Sequence, residues 1–221
     1  EVRAFLLGSG DLTHWCVSHP TVMLSRQALE DVGLYTEFSG DASGFPQDYD
    51  LWNKLLLKGY MFANVPQLLL KYRIVSGSES RHKKNELLEH RCRITLNKIE
   101  AVLPEIALQD KKNLAAMLEF LPQESKEAGD KVLDLFDRYF ARFNVGYCEK
   151  GLNSYLQARM KFYYLPQLWK TNKVFASKQF FKHIFQFPSL LLDSKFYRKI
   201  FKAMFIKNYF QLSKELAVNT G

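Results

Sequence analysis

The residues most suited to chemistry form one short run, Gln47-Asp48-Tyr49-Asp50-Leu51-Trp52. This run places two carboxylates at the predicted start of a helix, directly after a stretch rich in Gly, Ser, Asp and Pro. The positive end of the helix macrodipole favours the ionised form of a carboxylate in the first turn. An ionised, positioned carboxylate can take the proton from a hydroxyl group as that hydroxyl attacks another centre. Acidic residues also cap first turns without any catalytic role, so this run by itself leaves both interpretations open.

Alternating strands and helices are predicted around this run. Apolar runs bounded by Pro and Gly predict strands over residues 15–24, 60–65 and 68–75. Ser25 suits the N-cap of a helix over Arg26–Asp31 that stops near Gly33, and a second helix is expected to open at Asp48 or Asp50 and to end at Gly59. Strand, helix and strand in that order predict an α/β layer for about residues 1–80.

Strand signals end near residue 80, where Ser76-Gly77-Ser78-Glu79-Ser80 predicts a boundary. Apolar residues at helical spacing then predict helices over residues 81–103, 105–121, 125–143 and 151–164. Three domains are therefore expected: an α/β layer over residues 1–80, a helical region over 81–164 and a basic, aromatic tail over 165–221. The fold class is α/β followed by a mainly α-helical region, and the chain is helix-dominated overall.

The excess positive charge is confined to the C-terminal part of the chain. Residues 160–221 hold 11 Lys or Arg and 2 Asp or Glu, a net charge of +9, whereas residues 1–159 have a net charge of −1. The same C-terminal segment holds 15 of the 32 Phe, Tyr and Trp side chains. From Lys195 to Leu212, the aromatic and aliphatic side chains fall on one helical stripe and the basic ones on most of the rest.

A helix with one basic and one aromatic face is typical of segments that lie in the interface of an anionic membrane. The aromatic stripe could instead pack on the helical core, with the lysines facing water. No nucleic-acid-reading motif accompanies the basic residues, so nucleic acid is not expected as a partner. The three scattered cysteines form no Cys-x-x-Cys pair and no disulfide ladder, which favours a reduced, cytosolic setting over secretion. No apolar run is long enough to cross a bilayer.

Several short motifs follow one another in order: His19-Pro20-Thr21-Val22-Met23-Leu24-Ser25-Arg26, Val32-Gly33-Leu34-Tyr35, Gln47-Asp48-Tyr49-Asp50-Leu51-Trp52, Gly59-Tyr60, Val65-Pro66 and Tyr72-Arg73. This series resembles the C-terminal half of the catalytic domain of family 2 glycosyltransferases, which are inverting enzymes of the GT-A fold. The resemblance extends from His19 to Ser80. It implies that residues 1–80 form part of a GT-A type layer and that a helical extension follows.

The resemblance also implies a role for each matched residue. In that family the second member of an acidic pair is the general base, so Asp48 is the expected catalytic base, and Gln47 stands where the family usually has Glu. Gln47, Asp50, Trp52 and His19 are expected to bind the acceptor or to line its site. Asp50 and Trp52 fit a capping and a core role equally well, and His19 fits a packed or capping role.

The resemblance further concerns the diphosphate and a metal ion. Many relatives carry, two residues after the Arg of the Tyr-Arg motif, a His that contacts the metal or the diphosphate, and here that position is Val75. His82 is the nearest substitute for such a metal ligand, although a lone His at the start of a basic helix is usually solvated. Arg73 is expected to face the nucleotide diphosphate, since a guanidinium suits paired phosphate oxygens, or else to be a surface charge at a strand end.

Asp48-Tyr49-Asp50 also matches the metal-binding Asp-x-Asp motif of GT-A enzymes. That motif follows an apolar strand, whereas Gly44-Phe45-Pro46-Gln47 precedes Asp48 as a loop, so the metal assignment is rejected. Relatives carry an N-terminal half with a nucleotide-binding βαβ layer and the true Asp-x-Asp, and nothing before Trp15 matches it. A divalent cation, Mg²⁺ or Mn²⁺, is therefore expected to be held mainly by that half, and this chain alone is expected to be inactive.

The expected function is part of a glycosyltransferase that moves a sugar from a nucleotide-sugar donor to a hydroxyl of a glycan or lipid-linked acceptor, with inversion. The enzyme is expected in the cytoplasm, peripheral at the inner face of the cell membrane. The alternative is a non-catalytic helical module for membrane docking or protein interaction, with a degenerate glycosyltransferase-like segment. Gln47 and Val75 favour that alternative. A metal-dependent phosphohydrolase using Asp48 and Asp50 is excluded, because no predicted strand directly precedes them.

Overall fold

The computed structural model describes residues 17, 19–36, 46–63, 65, 67–71, 73, 84–119, 121, 123, 125–142 and 150–192. These residues form the helices α1 (Arg26–Asp31), α2 (Gln47–Leu57), α3 (Lys84–Val102), α4 (Leu108–Leu118), α5 (Lys126–Arg142), α6 (Lys150–Thr171) and α7 (Lys173–Gln186), and the 3₁₀-helices His19–Thr21 and Pro188–Leu192. The chain divides into two compact units, Glu1–Ala101 and Val102–Gly221. The three domains expected from the sequence stay a prediction.

The first two helices begin and end at residues suited to those positions. The hydroxyl of Ser25 accepts a hydrogen bond from the backbone N–H of Ala28 at 3.5 Å, which caps α1. Gly33 follows α1 with φ of +77°, and Gly59 follows α2 with φ of +86°. A side chain is strained in this left-handed region, so glycine is the residue that ends a helix there most readily. Helix α1 has the predicted limits, whereas α2 begins one residue before Asp48, the earlier of its two predicted starts, and ends two residues before Gly59.

The α/β layer predicted for residues 1–80 is wrong in the part of the chain that the structure describes, where no residue lies in a strand. Residues His19–Thr21 form a 3₁₀-helix, because Pro20 fixes φ near a helical value and offers no N–H to a strand ladder. Residues 60–63 and 67–71 have no regular structure, and Leu68 and Leu69 are exposed. Cross-strand pairs are what stabilise a strand, and the described residues provide no neighbouring strand to pair with.

Helix α2 occupies the interior of the first unit. Its Leu51, Trp52 and Leu55 form a buried cluster with Ala28 of α1. Half-buried side chains pack around this cluster: Val17, Val22, Leu24, Leu29, Val32, Tyr35, Tyr60 and Phe62. Burying a large apolar side chain contributes roughly 1.5–3 kcal/mol, so this packing fixes the position of α2 and of its first turn, which carries Asp48.

The second unit is built from helices that pack on their neighbours along the chain, α4 on α5, α5 on α6 and α6 on α7. Helix α5 buries one face, formed by Val132, Leu133, Leu135, Phe136, Tyr139 and Phe140. Helix α6 continues through Pro166, beyond the end predicted at residue 164. A proline costs about 3 kcal/mol in a helix interior. Burial of Tyr163, Tyr164 and Leu168 around it offsets that cost.

A buried polar network ties the connection between α4 and α5 to α6. The side-chain amide of Gln123 donates to the carbonyl oxygen of Asn113 at 3.0 Å and to the hydroxyl oxygen of Tyr164 at 2.6 Å. That hydroxyl in turn donates to the carbonyl oxygen of Leu121 at 3.0 Å. Burial raises the pKa of Tyr164, so its hydroxyl stays a neutral donor. The network gives the buried side-chain amide of Gln123 two acceptors and pairs the carbonyl of Leu121 in the connection after α4.

Candidate functional site

Asp48 lies in the first turn of α2, where the sequence places it, and its side chain is half-buried. The N-cap residue is Pro46, which makes no side-chain capping bond. The carboxylate of Asp48 takes over part of that role, since its Oδ1 accepts the backbone N–H of Tyr49 at 2.8 Å. Among the described residues no Lys or Arg pairs with this carboxylate, so the helix N-terminus orients an anion that no counter-ion there neutralises.

Asp50 is engaged by two neighbours. Its Oδ2 lies 3.2 Å from the Nζ of Lys54 one turn later, and it also accepts the hydroxyl of Thr36. Lys54 closes the group by donating from Nζ to the Oγ1 of Thr36 at 2.6 Å. This triad ties the segment that follows α1 to the first turn of α2. Asp50 therefore helps to position the first turn of α2, independently of any contact with an acceptor.

The structure brings His19 and Trp52 together. Trp52 is buried in the first unit, and the ring of His19 meets it edge-on at 6.2 Å between centroids. His19 is exposed, and its Nε2 lies at hydrogen-bond distance, 2.8 Å, from the hydroxyl oxygen of Tyr35. The accessible part of this group is therefore the His19–Tyr35 pair, with Trp52 packed behind it. Tyr35 belongs to the Val32-Gly33-Leu34-Tyr35 motif, but sequence reasoning assigned it no role.

The remaining expected site residues are Gln47, Arg73 and His82. Gln47 is exposed at the first position of α2, and Arg73 is exposed in a stretch without regular structure. His82, expected as a substitute metal ligand, and Val75 lie outside the described residues. The basic aromatic stretch expected to meet a membrane, residues 195–212, also lies outside them.

The donor set at α2 does not fit a divalent cation. In the described ranges no three His, Cys, Asp or Glu side chains are grouped as a metal site would require. Within Asp48-Tyr49-Asp50, the second carboxylate is already shared by Lys54 and Thr36. The two carboxylates of this run are therefore not expected to hold a metal ion.

Sequence reasoning missed a group of polar residues around Tyr49. The hydroxyl of Tyr49 lies 3.1 Å from the hydroxyl of Thr95. The guanidinium carbon of Arg91 lies 5.4 Å, and the Nζ of Lys98 5.8 Å, from the centre of its ring. All four side chains are buried, so these cation–π contacts are made away from water, where they are strongest. Arg91 and Lys98 thus place two basic side chains beside Tyr49, which follows Asp48 in the chain.

A signal for this group does exist in the sequence. Arg91, Thr95 and Lys98 are spaced four and three residues apart, so they share one face of the helix predicted over residues 81–103. That spacing indicates a shared helix face, but polar residues on one face are typical of a solvated surface, so their burial was not predictable.

Comparison of the chain with protein-family models, with curated proteins and with solved structures finds no significant match. In the part of the chain that the structure describes, no helix is both long and apolar enough to span a membrane.

Proposed function

We propose that this chain is part of a glycosyltransferase that moves a sugar from a nucleotide-sugar donor to a hydroxyl of a glycan or lipid-linked acceptor, with inversion. One observation carries the proposal: the half-buried carboxylate of Asp48 lies at the start of α2, oriented by the N–H of Tyr49 and without a cationic partner among the described residues. The ordered motifs between His19 and Ser80 support it independently. The proposal concerns the chemistry of Asp48 and requires no sheet within this chain.

In the proposed reaction Asp48 accepts the proton of the acceptor hydroxyl as the hydroxyl oxygen bonds to the anomeric carbon. The bond from that carbon to the diphosphate oxygen breaks on the opposite face, and the electron pair leaves with the nucleoside diphosphate. One oxygen of Asp48 is held by the backbone N–H of Tyr49, which leaves the other to receive the proton. General-base assistance of this kind contributes roughly 10²–10⁴ in rate.

The other matched residues have supporting roles in this proposal. The exposed side chains of His19 and Gln47 and the half-buried Tyr35 offer hydrogen bonds to acceptor hydroxyls, and Trp52 packs against the ring of His19. Arg73 is exposed and could form paired bonds with a diphosphate. We place the enzyme in the cytoplasm, peripheral at the inner face of the cell membrane, with residues 195–212 on anionic lipid.

The experiment is a comparison of Asp48→Asn with Asp50→Asn in the full-length polypeptide that contains this chain. Release of nucleoside diphosphate is measured over a panel of nucleotide sugars and acceptors. In Asp48→Asn the amide oxygen would still accept the Tyr49 N–H, so the fold should be retained while turnover falls roughly 10²–10⁴-fold. Asp50→Asn should weaken the contacts to Lys54 and Thr36 and lower the melting temperature, with a much smaller effect on turnover. Wild-type turnover in Asp48→Asn would refute the assignment.

A second candidate is a non-catalytic helical module for membrane docking or protein interaction. It is favoured by the absence of strands from the described residues and by the structural engagement of Asp50 and Trp52. The two candidates differ in ligand binding. Calorimetric titration of the full-length polypeptide with nucleoside diphosphates should give heat for the enzyme, whereas no binding of any nucleotide and no turnover would favour the module.

A further inference from the structure

Helix α7 has one face that packs within the second unit. Ala176 and His183 lie on that face and are 1% and 3% exposed. Phe180 extends it, because its ring stacks on that of Phe162 in α6 with 5.6 Å between centroids. The packing of α7 on α6 is thus accounted for by this side of the helix.

The opposite face of α7 holds large apolar side chains that face solvent. Val174, Phe181 and Phe185 are 68%, 58% and 83% exposed. With 3.6 residues per turn, these three lie within about 40° of arc, on the side of the helix opposite Ala176 and His183. Scattered exposed apolar residues are ordinary, but an aligned stripe opposite the packed face of a helix indicates a surface for binding.

Basic residues accompany the stripe, and acidic ones are absent from it. Lys178 lies at the edge of the stripe and Lys182 beside it, both exposed. Helix α7 contains no Asp or Glu, and residues 150–192 as a whole contain 7 Lys or Arg and no Asp or Glu. Such a face is complementary to a surface that is anionic on the outside and apolar just beneath. Phospholipid headgroups over acyl chains provide that combination.

We infer that α7 docks in the plane of an anionic lipid bilayer surface through the face formed by Val174, Lys178, Phe181, Lys182 and Phe185. The apolar side chains reach the boundary between headgroups and acyl chains, and the two ammonium groups contact lipid phosphates and carboxylates. This surface is distinct from residues 195–212, and it requires neither Asp48 nor glycosyl transfer.

The test is sedimentation of the full chain with vesicles of phosphatidylcholine, with or without phosphatidylserine. The wild type should co-sediment with the mixed vesicles, far less with phosphatidylcholine alone, and less as salt is added. Phe181→Ser/Phe185→Ser should raise the lipid concentration for half-maximal binding by about tenfold or more. Lys178→Gln/Lys182→Gln should raise it by roughly fivefold or more on the mixed vesicles.

Matched controls test whether lipid binding depends on this face of α7 or on any apolar or basic side chain of the chain. Met23→Ser and Leu108→Ser remove apolar side chains that are also exposed, elsewhere on the chain, and Lys112→Gln/Lys126→Gln removes two charges from other helices. These variants, and Asp48→Asn, should bind as the wild type does. Asp48→Asn tests turnover and should leave lipid binding unchanged. The catalytic proposal and the lipid-docking proposal can therefore fail independently of each other.

Five results would overturn the inference. The wild-type protein could fail to co-sediment with anionic vesicles, or it could bind both vesicle types equally. Phe181→Ser/Phe185→Ser could bind with unchanged affinity, which would assign the lipid contact to another segment. The same variant could melt at a clearly lower temperature, which would mean that this chain covers the face itself. It could also turn a dimer into a monomer in light scattering, which would make a second copy the occupant.

Discussion

Two carboxylates in the first turn of α2 have different surroundings although they are two residues apart. Asp50 contacts Lys54 and Thr36, whereas Asp48 contacts the backbone N–H of Tyr49. The partner Lys54 could be predicted, because it follows Asp50 at the four-residue spacing of helical ion pairs. Thr36 could not, since it lies 14 residues earlier and meets α2 only through the tertiary fold. The sequence therefore predicted that both carboxylates lie at the start of a helix, but it did not predict that their contacts differ.

His183 is a second residue whose surroundings set its chemistry. It is buried on α7, and neither ring nitrogen has a hydrogen-bond partner among the described residues. Burial, with the nearby charges of Lys161 and Lys182, lowers the pKa of His183 to about 4. Between that value and the ordinary 6.5, the unfolded chain binds a proton that the folded chain excludes. The free energy of unfolding therefore decreases as the pH falls through this window.

The variant His183→Leu tests this linkage. Leucine removes the titrating group and leaves no unpaired ring nitrogen in the interior, so at pH 7 the melting temperature should be unchanged or higher. Between pH 7 and pH 5 the melting temperature should fall less for the variant than for the wild type, as followed by circular dichroism. An equal fall in both proteins would show that His183 is protonated in the folded state as readily as in the unfolded one.

At the scale of elements, helices α5 and α6 approach closely at Gly129. A methyl group at this position would lie 3.2 Å from the Oγ1 of Thr171 and 3.4 Å from the Cδ2 of Leu168. The first distance is shorter than an ordinary contact in a packed interior and the second is at its lower limit, and Gly129 is buried. The absence of a side chain is thus what allows this approach, although glycine by itself weakens a helix.

Gly129→Val should lower the free energy of unfolding by about 1–3 kcal/mol, because the larger side chain forces the two helices apart. Chemical denaturation measures this change. Ala141→Val is the matched control, since Ala141 is exposed on the same helix and should cost less than about 0.5 kcal/mol. If both substitutions had the same small effect, the close approach of α5 and α6 would not contribute to stability.

The elements differ in how far the sequence could predict them. Helices α1 and α2 were predictable because a local signal marks each end, such as Ser25 before α1 and Gly59 after α2. The strand predicted over residues 68–75 rested on apolar runs alone, and a strand needs a partner that local residues do not supply. The continuation of α6 through Pro166 was not predictable either, because the packing that offsets the proline comes from other helices.

At the scale of the whole chain, charge and aromatic residues are concentrated toward the C-terminus, and the sequence showed this directly. Residues 160–221 have a net charge of +9, against −1 for residues 1–159. Composition could not say which aromatic side chains face outward. In α7 the structure separates them, with Phe180 half-buried and stacked on Phe162 and with Phe181 and Phe185 exposed. The structure therefore allows membrane docking to be proposed for one face of α7, the face that includes Phe181 and Phe185.

The most direct test of Asp48 as general base compares two nucleophiles in the full-length polypeptide. A hydroxyl acceptor must lose a proton as it attacks, whereas azide is already an anion and needs no base. We predict that Asp48→Asn transfers sugar to the hydroxyl acceptor about 10²–10⁴-fold more slowly than the wild type, while transfer to azide changes by less than about threefold. Equal losses with both nucleophiles, or no loss with either, would contradict the assignment of Asp48 as the base.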